Sequence, residues 1–102
     1  MYKSTRSINE SCGVPAAQAI KQGLAADGGL FMPEYIPKLP QDALAALAQQ
    51  GYVSRAAQIL SMFLDDYTIE ELTKDCQAAY CPQKFPGGAA PCVQIDDRLH
   101  VL

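Results

Sequence analysis

The chain has 102 residues, 49% of them hydrophobic, and a formal net charge of −3. That length supports one domain, able to bury about two-thirds of its unfolded surface, and so apolar a composition excludes disorder. The acidic balance excludes a nucleic-acid binder, which needs a basic stripe, and no run approaches the ~18 apolar residues of a membrane-spanning helix.

Tyr2 to Thr5 reads as a first short strand, built from residues that suit a pleated surface. The opening Met1-Tyr2-Lys3-Ser4-Thr5-Arg6 lacks the apolar stretch of a secretory signal, which makes the cytoplasm the default setting. Ser7 to Gly13 has loop composition. Pro15 fits the first position of a helix, where its missing N–H costs nothing. Ala16, Ala19, Ile20 and Gly23 follow at helical spacing, with Gly23 as the C-cap. Asp27-Gly28-Gly29 is strong turn chemistry, and Leu30 to Met32 is a second strand candidate. Pro33, Pro37 and Pro40 then punctuate an extended segment that lays Tyr35 and Ile36 on the core.

A second helix is expected from Gln41, burying Leu44, Leu47 and Ala48 and ending at Gly51. Ser54 is the candidate N-cap of a third, whose apolar face runs Ala56, Ala57, Leu60, Phe63 and Leu64. Thr68-Ile69-Glu70-Glu71 has the form of a capping box. Leu72, Cys76, Ala79 and Tyr80 follow on one face of a fourth helix, which Pro82 prevents from continuing. Gln83 to Pro91 reads as a Pro/Gly loop. Val93 and Ile95, then Leu99 and Val101, alternate with polar neighbours, and a two-residue Asp96-Asp97 turn would join them as a hairpin. The fold class is therefore α+β: about four short helices with a few short strands, including a C-terminal hairpin.

Cys12, Cys76, Cys81 and Cys92 lack a Cys-x-x-Cys pair, and His100 stands far off, so buried reduced thiols fit better than zinc ligands. His100, in a strand and without a nucleophile partner, suits a surface position better than catalysis. The pairs Asp65-Asp66 and Glu70-Glu71 fit helix ends better than paired catalytic acids. Asp27-Gly28-Gly29 could cradle an anion, since consecutive glycine amides can form a nest, but no helix starts after Gly29 and a structural turn is the better reading. Ser4-Thr5-Arg6 has two readings. The forked guanidinium and two hydroxyls suit an anionic oxygen cluster such as phosphate. Alternatively, the hydroxyls close a turn while Arg6 pairs with a local carboxylate such as Glu10.

Taken together, Tyr2-Lys3-Ser4-Thr5-Arg6, the string Gly23-Leu24-Ala25-Ala26-Asp27-Gly28-Gly29-Leu30-Phe31-Met32-Pro33, Pro33-Glu34-Tyr35-Ile36-Pro37, Ala57 with Ile59-Leu60, and Ala79-Tyr80 resemble the amino-terminal domain of bacterial threonine synthases. The likeness runs along nearly the whole chain in the family's order. Ser7 stands where the family usually has Gly, and Pro15 where it often has Ser.

The resemblance implies a pyridoxal-phosphate enzyme of the tryptophan-synthase-β type, converting O-phosphohomoserine and water to threonine and phosphate. It implies that residues 1–102 are a single N-terminal domain, excised ahead of the cofactor lysine and inactive alone. Its partners would be its own catalytic domains, and it would border their active-site entrance. It raises the substrate-binding reading of Ser4, Thr5 and Arg6. The alternatives are a threonine-synthase-like phospho-lyase and a free-standing helical interaction module.

Overall fold

The computed structural model of the chain describes residues 1–7 and 13–102. Cys12, the Glu10 partner considered for Arg6, and most of the loop expected after Ser7 lie outside the described residues.

β1 (Tyr2–Ser4) pairs antiparallel with β2 (Phe31–Pro33), Tyr2 opposite Pro33 and Ser4 opposite Phe31. This sheet has two strands, so Pro33 can sit at its end without breaking an inner ladder. The second strand starts one residue later than expected, because Leu30 instead makes a bridge with Leu24 at the neck of the Asp27-Gly28-Gly29 turn.

α1 (Ala16–Gln22) begins after Pro15, which is its N-cap rather than its first helical residue. The cap is supplied from a distance: the Ala17 N–H donates to Asp66 Oδ2 at 2.8 Å. Gly23 closes the helix at φ 78°, in the region that favours glycine. Ala16 and Ala19 are buried, whereas Ile20 is 62% exposed. Ile20 is on the same face as Ala16, four residues on, and lines an open cavity with Leu60, Leu64 and Leu72 rather than a filled core.

α2 (Gln41–Ala48) is anchored by Leu47 alone, with Leu44 and Ala48 exposed. Gln49, not Gly51, is its C-cap; Gly51 instead N-caps α3 (Tyr52–Ser61). Ser54 therefore lies inside α3, and its hydroxyl bonds Gln50 Oε1 at 2.7 Å. Tyr35 and Ile36 are 70% and 72% exposed. Their proline-punctuated segment is extended, and Tyr35 only borders a small cavity beside Met62 and Phe63 at the end of α3, so neither side chain enters the core.

The core lies between α3 and α4 (Ile69–Ala79). Ala57, Leu72 and Cys76 are buried there, with Val53, Ala56, Leu60, Leu64, Tyr67 and Tyr80 packed around them. Burial, then the nearby Asp75 carboxylate, push the Cys76 thiol pKa up, leaving it a small hydrophobe. Phe63 and Leu64 follow the end of α3, and Ala79 is exposed, so the expected apolar faces are right at their centres and overrun at their ends. The capping box of α4 is complete: the Glu71 N–H donates to Thr68 Oγ1, and the Thr68 N–H donates to Glu71 Oε2. The Thr68 backbone and hydroxyl donors hold the Glu71 carboxyl below its usual range. Tyr80 caps the helix end and meets Tyr52 edge-on, ring centroids 4.9 Å apart.

β3 (Val93–Gln94) and β4 (His100–Val101) form the C-terminal hairpin, with Gln94 opposite His100. Its turn is longer than two residues. The Ile95 N–H donates to the Leu99 carbonyl, and the Asp96 carboxylate accepts from the N–H groups of Arg98 and Leu99. Asp96, Asp97 and Arg98 thus form the loop, because an Asp side chain closing its own turn outcompetes a tight Asp-Asp corner. The hairpin is exposed, including His100 and the Cys92 thiol beside it, whereas Cys81 is half-buried. Cys92 therefore departs from the expected buried thiols.

Candidate functional site

The two segments that stand out most in the sequence meet in space. Antiparallel pairing of β1 with β2 carries Ser4-Thr5-Arg6 across the Asp27-Gly28-Gly29 turn. The Ser4 hydroxyl donates to Asp27 Oδ1 at 2.7 Å, and the same oxygen accepts the Gly29 N–H at 2.9 Å. Asp27 can only accept when ionised, so the single Ser4 proton is committed to it. The Arg6 N–H in turn donates to Ser4 Oγ at 3.2 Å. Arg6 Nη1 donates to the Asp27 carbonyl at 3.3 Å, laying the guanidinium along the turn. Beside them, the Thr5 N–H donates to the Leu30 carbonyl at 2.9 Å and Thr5 Oγ1 accepts the Leu30 N–H at 3.0 Å.

The glycines are required at two points. Gly28 has φ 76°, and a side chain there would press on Arg6 Nη1. Gly29 is buried, and a Cβ on it would overlap Ser4 Oγ. These amides do not form an anion nest. The Gly28 N–H donates to the Ala25 carbonyl at 2.8 Å, and the Gly29 N–H is held by Asp27.

The arrangement distributes donors unevenly. Ser4 has no proton left to offer an anion. Thr5 and Arg6 are both exposed, the Thr5 hydroxyl proton is unassigned, and the guanidinium keeps donors beyond the one on Asp27, among the described residues. Sequence reasoning flagged each segment singly but missed their pairing. It took Asp65-Asp66 as a helix end and missed what the pair holds. Asp66 caps α1, and Asp65 lies 4.0 Å from the Met1 amino group. The Tyr2 hydroxyl, which donates to the Phe63 carbonyl at 3.1 Å, ties the same loop to β1. Burial, then the Asp65 and Asp66 charges, raise its pKa.

The sequence profile of the family described as threonine synthase N terminus matches residues 1–80. The chain belongs to that family. It is 32% identical over 107 residues to threonine synthase of Corynebacterium glutamicum, covering 98% of this chain and 22% of that protein. It is 38% identical over 90 residues to threonine synthase of Serratia marcescens, covering 87% of this chain and 20% of that protein. The crystal structure of threonine synthase from Escherichia coli superposes with a TM-score of 0.75 at 31% identity, covering 87% of this chain and 20% of that one. The chain thus spans about a fifth of the length of these relatives, and the small α+β architecture is that of this family's N-terminal region.

No lysine of this domain stands in the setting that pyridoxal phosphate requires. Holding it as a Schiff base needs a lysine whose amine is kept neutral in a partly desolvated pocket. Lys3 forms an ion pair with Glu34 Oε1 at 2.9 Å, and Lys21, Lys38, Lys74 and Lys84 are exposed. Among the described residues no group of His, Cys, Asp and Glu is placed to hold a metal ion, and no helix is long and apolar enough to cross a membrane.

Bonds from the Ser4 hydroxyl and the Gly29 amide hold the Asp27 carboxyl below the usual carboxylate range, with smaller help from Arg6. A depressed folded-state pKa stabilises the fold fully above the ordinary value of 3.8. That contribution is lost as pH falls through the folded-state value. Thermal melts of Asp27→Asn should therefore show a shallower loss of stability below about pH 4 than the parent chain, while both are flat in this respect near neutrality. Parallel acid limbs would show that Asp27 does not carry this linkage.

Proposed function

We propose that this chain is the N-terminal domain of a pyridoxal-phosphate enzyme that converts O-phosphohomoserine and water to threonine and phosphate. The cofactor, its lysine and the catalytic residues belong to the enzyme's catalytic domains, which are the partners of this one. The bound cofactor supplies the electron sink for the reaction. The task assigned to this domain is to present Thr5 and Arg6 to the substrate's anionic oxygens at the active-site entrance. The exposed fork of Arg6 suits phosphate, and the Thr5 hydroxyl adds a shorter donor. Ser4 serves as an internal strut. The cytoplasm is the setting that suits such a biosynthetic enzyme.

The observation that carries this reading is the docking of Ser4-Thr5-Arg6 onto Asp27-Gly28-Gly29, inside the region that matches the family. It builds a closed turn that ties Arg6 by one Nη1 bond and leaves further guanidinium donors facing out. In the intact enzyme, Arg6→Lys should lower kcat/KM for O-phosphohomoserine by about 1.5–3 kcal/mol, the range for a charge-assisted hydrogen bond, and leave the cofactor's absorption spectrum unchanged. Unchanged kinetics with a small loss of stability would reduce Arg6 to a structural tie. The same assay settles the chemistry: phosphate released without threonine would make the parent a phospho-lyase, and no turnover would favour an interaction module.

A further inference from the structure

We propose that Asp27 is a positioning residue: it sets the direction of the Arg6 guanidinium towards the substrate's anionic group without touching that group. The inference rests on the reading above that Arg6 meets the substrate.

Two separate atoms of Asp27 act on the segment. Its carboxylate fixes Ser4, and Ser4 Oγ accepts the Arg6 N–H, so one chain of hydrogen bonds runs from Asp27 Oδ1 through Ser4 to the Arg6 backbone. Its carbonyl takes Arg6 Nη1, fixing the far end of the same residue. Arg6 is thereby held at both backbone and side-chain tip by one residue; the carbonyl remains whatever stands at position 27, so the Asp27 side chain acts through Ser4 and through the Gly29 bond that shapes the turn carrying that carbonyl. The aspartate is itself locked: Oδ1 also accepts the Gly29 N–H, and the turn is closed by the Gly28 N–H on the Ala25 carbonyl and the Ala25 N–H on the Gly29 carbonyl. An exposed arginine otherwise samples many rotamers, and ordering a long side chain on binding costs affinity. Ordering it beforehand removes much of that cost. The effect falls on binding rather than on the chemical step, since the guanidinium contacts are expected to be alike in ground and transition states.

The test uses the full-length enzyme carrying this domain, with KM and kcat for O-phosphohomoserine and the inhibition constant of inorganic phosphate measured for five variants. These are Arg6→Gln, Asp27→Ala, Asp27→Asn, Ser4→Ala and the Arg6→Gln/Asp27→Ala double variant. Arg6→Gln should raise KM and the phosphate inhibition constant at least tenfold. Asp27→Ala should raise both about five- to tenfold with kcat within about twofold, Ser4→Ala should do so more weakly, and Asp27→Asn, which keeps an acceptor oxygen, should recover most of the loss. In the double variant Asp27→Ala should add almost nothing to Arg6→Gln, because both act through one contact. Should Asp27→Ala fail to fold, the rise in KM expected of Ser4→Ala still decides the matter. No effect of Arg6→Gln would overturn the substrate-contact reading itself. A full effect of Arg6→Gln with normal KM in Asp27→Ala and Ser4→Ala, or full additivity in the double variant, would overturn the positioning role alone. A fall in kcat at unchanged KM in Asp27→Ala would also overturn it.

Discussion

Gly29→Ala should lower the stability of this domain by about 2–3 kcal/mol, the upper part of the range for overpacking a filled site. Gly29 is buried against β1, and a Cβ built on it overlaps Ser4 Oγ while sitting 3.0 Å from both the Arg6 nitrogen and Asp27 Oδ1. Ser4 can retreat only by giving up Asp27, and Arg6 N can retreat only by straining the neighbouring Thr5–Leu30 pair. For a chain of this size the loss corresponds to a fall in Tm of roughly 10–20 °C. Gly87 is the control, because nothing lies within 4 Å of its Cβ position and its φ is not positive. Gly87→Ala should change stability by less than about 0.5 kcal/mol. Equal melting temperatures for the two variants would mean that Ser4-Thr5-Arg6 does not dock on the turn as described.

The parts of the fold that were legible in the sequence are those governed by neighbours a few residues away. The capping box at Thr68 and Glu71 is a four-residue pattern, and the helix it starts carries its buried residues at Leu72 and Cys76 as the spacing requires. Gly23 as a C-cap and the Asp27-Gly28-Gly29 turn are equally local. The misplaced elements are those decided by distant partners. Ser54 has N-cap chemistry, yet α3 starts three residues earlier at a glycine, and Ser54 turns to the Gln50 side chain. Tyr35 and Ile36 are apolar enough for a core, but no periodicity reveals that a segment with three prolines runs past the helices.

The candidate site shows the same division. Ser4-Thr5-Arg6 and Asp27-Gly28-Gly29 each carry a recognisable chemistry, but they lie more than twenty residues apart, and their meeting depends on the register of β1 with β2. Without that register Ser4 looks like one more donor for an anion; with it, Ser4 is committed to Asp27 and only Thr5 and Arg6 have protons to offer. Asp66 was invisible as the cap of α1 for the same reason, since 49 residues separate it from Ala17. A carboxylate supplied by the loop after α3 fixes where α1 starts, and the Tyr2 hydroxyl bond to Phe63 fixes β1 against that same loop. The helical core thereby sets the height of the strand that carries Arg6.

That coupling gives the second large effect its meaning. Leu72→Ala should destabilise the domain by about 2–4 kcal/mol, as deletion of a buried leucine side chain does through lost transfer energy and a residual cavity. Leu72 is 3% exposed and packs in one cluster with Ala57 and Cys76, the main buried apolar contact between α3 and α4. Neither neighbour can expand to refill the space: Ala57 has no rotamers to adjust, and Cys76 is small. Glu70 is exposed on the first turn of the same helix and outside the capping box, so Glu70→Ala should cost less than about 1 kcal/mol, mostly its interaction with the helix dipole. Denaturant titrations of both variants, compared at equal slope, provide the measurement. Because α3 leads into the Phe63–Asp66 loop that clamps Tyr2 and α1, loosening the core should also release β1. Amide exchange of Thr5 and Leu30 should therefore accelerate in Leu72→Ala and stay at the parent rate in Glu70→Ala. Faster exchange confined to α3 and α4, with Thr5 and Leu30 unmoved, would show that the strand pair is stable independently of the helices.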